Sequence, residues 1–425
     1  MKKLIQSVKG TRDFYPEDMA LRNFINDKLR QASEAFGYQE WDGPFIESLE
    51  LYAAKSGDEL VKKQSFVFQD RGGDEVTLRP ELTPSLVRVI AKKQNELTFP
   101  VRWWSFGPFW RYEQPQHGRT REFFQWNIDL LGVDSAEADA ELIAVAATFF
   151  KLVGLKPTQV QIRVNDRRLM NSQFDTLSIS SEKRLELSGL IDRRVKMKLN
   201  DWDTSALEMG ITEKQLRGLK QILEDKELYK KSSELVRVFK TLEVMNVSDY
   251  AIFDPNIMRG LLYYTGTVFE AFDLSGTMPR SILGGGRYDN LLADVGGDPL
   301  PAVGFAMGDV VIGLILKEKG LIPTFIPSPA SVLVTVFDET LLPESYALAS
   351  ILRRAGINVS TYPEPAKLPR QFKYADRMGV RVALVVGPDE AAAGKVTVKN
   401  LSSGSQETVS QSNLLLVVQK ILETT

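Results

Sequence analysis

The sequence predicts an α+β protein: a largely antiparallel sheet with flanking helices, interrupted by a helical insertion and followed by a small α/β unit. Three observations predict it. Long strand-like runs such as "VRWWSFGPFWRYE" (101–113) and "EFFQWNIDLLG" (122–132) follow one another closely enough to form a hairpin. From about Asn171 to Val247 the chain is charged, helix-rich and poor in aromatics, which reads as an inserted helical domain because a structureless loop of that length is uncommon. A proline-rich stretch holding Pro323, Pro327 and Pro329 then precedes a fresh alternation of strands and helices.

The main body spans residues 1–170 and 248–322. Helices are expected at about Asp18–Phe36 and Ala136–Val153, the second with Glu137, Asp139 and Glu141 in its first turns and Gly154 beyond its end. Besides the two long runs, "SFVFQ", "EVTLRP", "TVFEAFD" and "PAVGFAMG" read as strands, and strand-like "TQVQIRV" and "YAIFDP" flank the insertion at 171–247. Residues 323–330 form a linker. In the last unit, 331–425, "SVLVTVF", "INVSTYP", "VRVALVVG" and "KVTVKNL" read as strands. Helices run from Pro343 to Arg354 with Gly356 past the end, from Lys367 to Met378 before Gly379, and from about Ser412 onward.

Composition narrows the chemistry. At 425 residues, 43% hydrophobic and 25% charged, the chain has the length for two or three globular domains and can bury a large core. It has no cysteine, which excludes disulfides, thiolate nucleophiles and Cys-based metal sites and fits a reducing cytoplasm. The one histidine, His117, excludes a multi-His metal site, and no metal-ligating residues are predicted. The opening "MKKLIQSVKGTRDF" lacks a secretory apolar segment, and prolines break the longest uncharged stretch near the middle, Leu321–Phe337, so no membrane span is expected. With a net charge of −2, any polyanionic partner must be held by local basic patches.

Carboxylates, arginines, tyrosines and backbone amides are left to act. Arg111, Arg119, Arg121, Arg259 and Arg287 are permanently charged planar forks suited to a polyphosphate. A lone arginine is more often a solvated surface group, but Arg111 lies in an aromatic strand, where a bare charge is costly unless paired. Glu81 and Gln125 can accept from an ammonium and Thr83 adds a hydroxyl, the equipment for an α-amino group. As isolated residues, such groups are more often caps or turns. Asp129, Tyr263 and Tyr264 can hold a planar ring with two N–H groups, although adjacent tyrosines also pack cores and edges. Gly284-Gly285-Gly286 allows close backbone approach to a ligand and lets Arg287 reach inward; it is neither a Walker loop nor a dinucleotide fingerprint.

Several motifs in one order resemble a class II aminoacyl-tRNA synthetase and, within that class, the histidyl-tRNA synthetase family. Gly37-Tyr38 through Pro44 and Glu47 resembles the first class II motif, a dimer-forming helix and strand; Arg111-Tyr112-Glu113 with the loop to Gln125 resembles the second, which binds ATP. "RGLLYYTGTVFE" (259–270) and "GGGRYDNL" (284–291) resemble the family's two histidine signatures, and 331–425 its anticodon-binding domain. The likeness covers essentially the whole chain, from Lys9-Gly10-Thr11-Arg12-Asp13 onward.

The resemblance implies that Glu81, Thr83, Gln125, Asp129, Tyr263 and Tyr264 bind histidine. Arg111, Glu113, Arg119, Arg121 and Arg287 would lie at or near ATP, with Arg111 and Arg259 catalytic and Arg259 beside the α-phosphate. It further implies a cytoplasmic homodimer, ATP as substrate with Mg²⁺ on its phosphates and no protein ligand assigned to that ion, and tRNA(His) as the acceptor of histidine. Lys367, Arg370, Lys373 and Arg377, on one helix face, are candidates for its backbone.

Three positions depart from the family pattern. The third class II motif ordinarily ends in an ATP-binding arginine, where this chain has Val311. Leu262 stands for an aspartate, and Asp129 for a glutamate. The alternative these leave is a non-catalytic paralogue that senses histidine, such as the regulatory subunit of ATP phosphoribosyltransferase. The C-terminal unit and the breadth of ligand-type residues favour the synthetase.

Overall fold

The computed structural model describes residues 4–53, 64–194, 197–259, 263–278, 280–293 and 296–423. Two compact units emerge, Met1–Asp13 with Leu21–Ile322 and Phe14–Ala20 with Pro323–Thr425. No described helix is long and apolar enough to cross a membrane.

The first unit is organised by an eight-stranded sheet in the order β1-β5-β6-β11-β10-β9-β7-β8. Its strands are β1 (Gln39–Glu40), β5 (Val101–Trp110), β6 (Glu122–Leu131), β7 (Val160–Asp166), β8 (Ala251–Phe253), β9 (Thr267–Asp273), β10 (Leu283–Arg287) and β11 (Ala302–Gly308). The two outermost pairings, β1 with β5 and β7 with β8, are parallel, and every pairing between them is antiparallel. The antiparallel core expected from the sequence is present. A separate sheet orders β2 (Ile46–Ser48), β4 (Glu75–Leu78) and β3 (Phe66–Gln69).

Helices α1 (Pro16–Ala35), α2 (Leu49–Ala53), α3 (Thr83–Lys93) and α4 (Ala136–Leu152) precede the helical stretch. In α4 the N-cap Ser135 accepts from the Ala138 amide, and the acidic start complements the helix dipole. Each acid also has its own partner: Glu137 meets Arg237, Asp139 meets Arg287, and Glu141 meets Arg102 and Tyr38. Between β7 and β8 the described residues form helices α5 (Arg167–Thr176), α6 (Ser181–Arg193), α7 (Leu199–Glu208), α8 (Glu213–Glu224) and α9 (Ser233–Val244), with short 3₁₀ turns. Helix α10 (Asp309–Glu318) closes the unit's secondary structure.

One face of the eight-stranded sheet carries the core. Strand alternation sends Phe124, Trp126, Ile128 and Leu130 of β6 to that face, where Trp126 packs 5.4 Å from Phe149 of α4 and 4.9 Å from Phe305, and its indole N–H donates to Ser33 of α1. Asp129, Asn127 and Gln125 therefore face the opposite way.

The second unit holds a five-stranded sheet, β13-β12-β14-β15-β16, built from β12 (Val332–Val334), β13 (Val359–Thr361), β14 (Val382–Val385), β15 (Lys395–Asn400) and β16 (Gln406–Ser410). The first three are parallel to one another, as strand–helix–strand crossovers require, and the last two are antiparallel. Its helices are α11 (Leu342–Arg354), α12 (Leu368–Arg377), α13 (Pro388–Ala392) and α14 (Leu414–Glu423). Strand β16, "QETVS", was not anticipated; it is a largely exposed, polar edge strand, so no apolar alternation announces it.

Candidate active site

The face away from the core is a floor that sets glycines among charged and polar side chains. Across the sheet, Asp129 of β6 pairs with Gly304 of β11, Gly304 with Gly286 of β10, and Gly286 with Val268 of β9. The next row on this face reads Ser105, Asn127, Ala306, Gly284, Glu270. A Cβ at Gly304 would overlap the Asp129 carboxylate; one at Gly284 would overlap the Arg259 guanidinium; one at Gly286 would lie 2.9 Å from the Tyr264 ring and 2.7 Å from the Thr267 carbonyl. Glycine here provides close approach rather than unusual torsion.

Over this floor converge several of the expected residues. Arg111, just past β5, donates from Nε to the Pro80 carbonyl at 2.9 Å and lies 5.4 Å from the Phe123 ring. Burial pulls its guanidinium below the ordinary value, against the pull of Glu81, and Tyr263 and Arg259 are within electrostatic reach. Glu81 is buried beside the start of α3, which Thr83 opens. Tyr263 and Tyr264 stack obliquely with centroids 4.8 Å apart. Burial raises both phenols, Tyr263 strongly, so both keep their protons.

Arg259 adopts a left-handed backbone, φ 55°, which costs an L side chain about 1–2 kcal/mol. Its guanidinium forms an ion pair with Glu270 of β9, also on the floor face. Burial opposes the charge, yet Glu270 together with Tyr264 and Tyr263 outweighs it and holds the group above its ordinary value. Glu270 was not anticipated, because the register between β9 and β10, not sequence spacing, places it under Arg259. Leu262 lies outside the described residues.

Asp129 is buried, and burial pushes its carboxyl up to about 7 although Tyr288 donates to it at 2.6 Å. Tyr288, two residues on from Gly286, is likewise a partner that no local spacing announces. It bridges the sites: its ring lies 6.0 Å from that of Tyr263. Gln125 shares this face of β6, and its buried Oε1 has no hydrogen-bond partner among the described residues.

The β5–β6 connection carries the remaining expected groups. Glu113 and Arg119 form an ion pair; Arg121 donates to the Glu113 carbonyl at 3.0 Å and covers the Tyr112 ring at 4.0 Å. Val311 is buried in the core cluster, and its methyl would lie 3.8 Å from a Cβ on Gly118 in that loop.

Arg287 requires a correction. The glycine triplet is the body of β10, so alternation sends Gly284, Gly286 and Tyr288 to the floor and turns Gly285 and Arg287 to the core. There Arg287, 1% exposed, donates to Asp139 of α4 at 3.0 and 2.6 Å and to the carbonyls of Val133 and Ser135. It does not reach the face where the expected ATP residues gather.

Known proteins match along the whole chain. A family profile described as histidyl-tRNA synthetase covers residues 10–309, and one described as anticodon binding domain covers 330–421. The sequence is 37% identical over 438 residues to a histidine–tRNA ligase of Leptospira biflexa, spanning 99% of this chain and 98% of the relative. The fold superposes on the crystal structure of histidyl-tRNA synthetase from Nostoc sp. PCC 7120 with TM-score 0.83 at 27% identity, covering 99% of this chain and all of that one. It also resembles a Bacillus halodurans protein described as an ATP phosphoribosyltransferase regulatory subunit/histidyl-tRNA synthetase, with TM-score 0.72 over 88% of this chain and 97% of that one; at 20% identity this likeness concerns the fold alone. By profile, by sequence over its full length and by fold, the chain belongs to the histidyl-tRNA synthetase family.

Proposed function

We propose that the chain is a histidine–tRNA ligase, an aminoacyl-tRNA synthetase that activates histidine with ATP and transfers it to the 3′ end of tRNA(His). The observation that carries this reading is the gathering of Glu81, Arg111, Arg259, Tyr263 and Tyr264 over the glycine floor, with Asp129 joined to them through Tyr288. We assign the histidine ammonium to Glu81, Thr83 and Gln125, and its ring to Asp129 with Tyr263 and Tyr264. The unpartnered, buried Gln125 oxygen suits a ligand donor.

A carboxylate oxygen of histidine attacks the α-phosphorus of ATP in line, forming the acyl–phosphate bond as the bond to pyrophosphate breaks. Arg259, held by Glu270, stabilises charge on the α-phosphate, and Arg111 holds the carboxylate to the phosphorus. The ribose hydroxyl at the tRNA 3′ end then attacks the histidyl carbonyl, its proton leaves, and AMP departs. Glu113, Arg119 and Arg121 in the β5–β6 connection are assigned to ATP. Mg²⁺ would screen charge on the β- and γ-phosphates. No protein ligand is assigned to it.

Residues 1–170 with 248–322 form the catalytic domain in this reading, 171–247 a helical insertion, 323–330 a linker and 331–425 the anticodon-binding domain, with the Lys367, Arg370, Lys373 and Arg377 face of α12 against tRNA. Phe45, Ile46, Val67 and Phe68 on the small sheet are 40–50% exposed, an apolar patch that suits burial in a homodimer through the first class II motif. The working compartment is the cytoplasm. Groups for both ligands and the C-terminal unit favour the ligase over a histidine-sensing regulatory subunit.

Histidine-dependent ATP–pyrophosphate exchange tests the first step, and charging of tRNA(His) the second. Removing 327–425 should spare exchange and sharply reduce charging. A protein that binds histidine but neither exchanges pyrophosphate nor charges tRNA would be the regulatory paralogue.

A further inference from the structure

Arg259 sits in a segment, Asp254–Gly266, that joins β8 to β9 and carries both tyrosines of the site. Its described residues are gripped from one side by the end of β7 and the start of α5. Asn165 donates to the carbonyls of Pro255 at 3.2 Å and Ile257 at 2.9 Å. Arg167 continues the grip: Nε donates to the Met258 carbonyl at 3.1 Å, Nη2 to that of Arg259 at 2.5 Å, and Nη1 to that of Tyr264 at 2.9 Å. Its own amide donates to the Gly266 carbonyl at 3.0 Å. One planar fork thus spans carbonyls on both sides of the Arg259–Tyr264 stretch.

The charge cost makes this placement informative. Burial lowers the Arg167 guanidinium, and the like charge of Arg259 lowers it further, while Tyr264 raises it. The Arg167 guanidinium bonds to the carbonyl of Arg259 within electrostatic reach of that residue's own guanidinium, which turns to Glu270. The carbonyl held is that of a non-glycine residue at φ 55°, a conformation L side chains rarely adopt. Lysine offers a point charge on a flexible stem and cannot span three divergent acceptors in one plane.

We propose that Arg167 is a positioning residue for adenylate formation: it fixes the left-handed backbone of Arg259 and thereby aims that guanidinium across the glycine floor at the α-phosphate. It acts through Arg259 and touches neither substrate. This rests on the ligase reading above.

The test is steady-state histidine-dependent ATP–pyrophosphate exchange by the full-length protein, with single-turnover adenylate formation for slow variants. Arg167→Lys should lower kcat by about 10- to 100-fold, the scale of a small misplacement of a catalytic group, while KM for histidine and for ATP stays within about threefold. In an Arg259→Ala background the same Arg167→Lys change should cost nothing further, because the group it aims is gone. Arg167→Gln, uncharged but still a donor, serves as a second variant read the same way. Exchange within about twofold of the parent, or an equal loss with and without Arg259, would overturn the proposal. Failure of both single variants to fold would overturn it too, by making the role structural. If the parent itself shows no histidine-dependent exchange, or Arg259→Ala retains it, the ligase reading falls first and takes this proposal with it.

Discussion

The two faces of β6 make a useful contrast. Phe124, Trp126, Ile128 and Leu130 look one way into close-packed aromatics; Gln125, Asn127 and Asp129, interleaved with them, look the other way onto glycines. On the core face, aromatic and aliphatic side chains pack densely, and the Trp104 indole N–H and one Asp139 carboxylate oxygen are two groups there without a partner among the described residues. On the floor face, a buried carboxyl is pushed up to about 7 and a buried amide oxygen lacks a partner among the described residues. Folding is served by the first face and opposed by the second, the arrangement expected where binding groups are kept ready for a ligand.

The sharpest way to break the contrast is to disturb a fully buried ion pair on the core face. Arg287→Met leaves Asp139 buried without its partner and should cost about 3–5 kcal/mol of stability, seen as a lower urea midpoint. Adding Asp139→Leu should recover most of it. A stable Arg287→Met single variant with a raised KM for ATP would instead return Arg287 to the nucleotide.

Next in size is a floor-face change with the opposite signature. Arg259→Ala should raise the barrier to exchange by about 2.7–4 kcal/mol, while histidine affinity by calorimetry stays close to the parent. Unfolding midpoints that dropped as far as the rate would blur the two faces into one.

Gly304→Ala is a subtler probe. The new methyl has to displace the Asp129 carboxylate, so KM for histidine should rise about tenfold, with ATP far less affected. Equal effects on both substrates would mean that the pocket under Asp129 does not hold the histidine ring.

The smallest expected effect concerns pH. Because the folded carboxyl of Asp129 is raised from the ordinary range to about 7, ionising it penalises the folded state, and that penalty grows as pH climbs from about 4 through about 7. Asp129→Asn should therefore gain stability relative to the parent above about pH 7 and gain none near pH 4, while binding histidine more weakly. A difference independent of pH would show that Asp129 titrates like an exposed carboxylate.

Much of the core face was legible in the sequence. Strands β5 and β6 carry long aromatic runs, and α4 has both its cap and its terminal glycine. The floor face was legible only as residue types. Three glycines in a five-residue strand leave no apolar alternation, so whether Arg287 points to solvent, ligand or core cannot be deduced from "LGGGR". Glu270 and Tyr288 were inside the quoted motifs, but their partners Arg259 and Asp129 are set by register and by strand order β6-β11-β10-β9. Arg167 carries no local signal, since its bonds are to carbonyls about ninety residues away.

The glycine floor also limits how such a protein can change over generations. A mutation at glycine can only add atoms, and at Gly284, Gly286 and Gly304 the first added atom already crowds Arg259, Tyr264 or Asp129. The first step out of each therefore acts on the site itself. Variation that retunes the pocket has to enter through the groups that stand over the floor, where a side chain can be shortened as well as lengthened, as with Asp129.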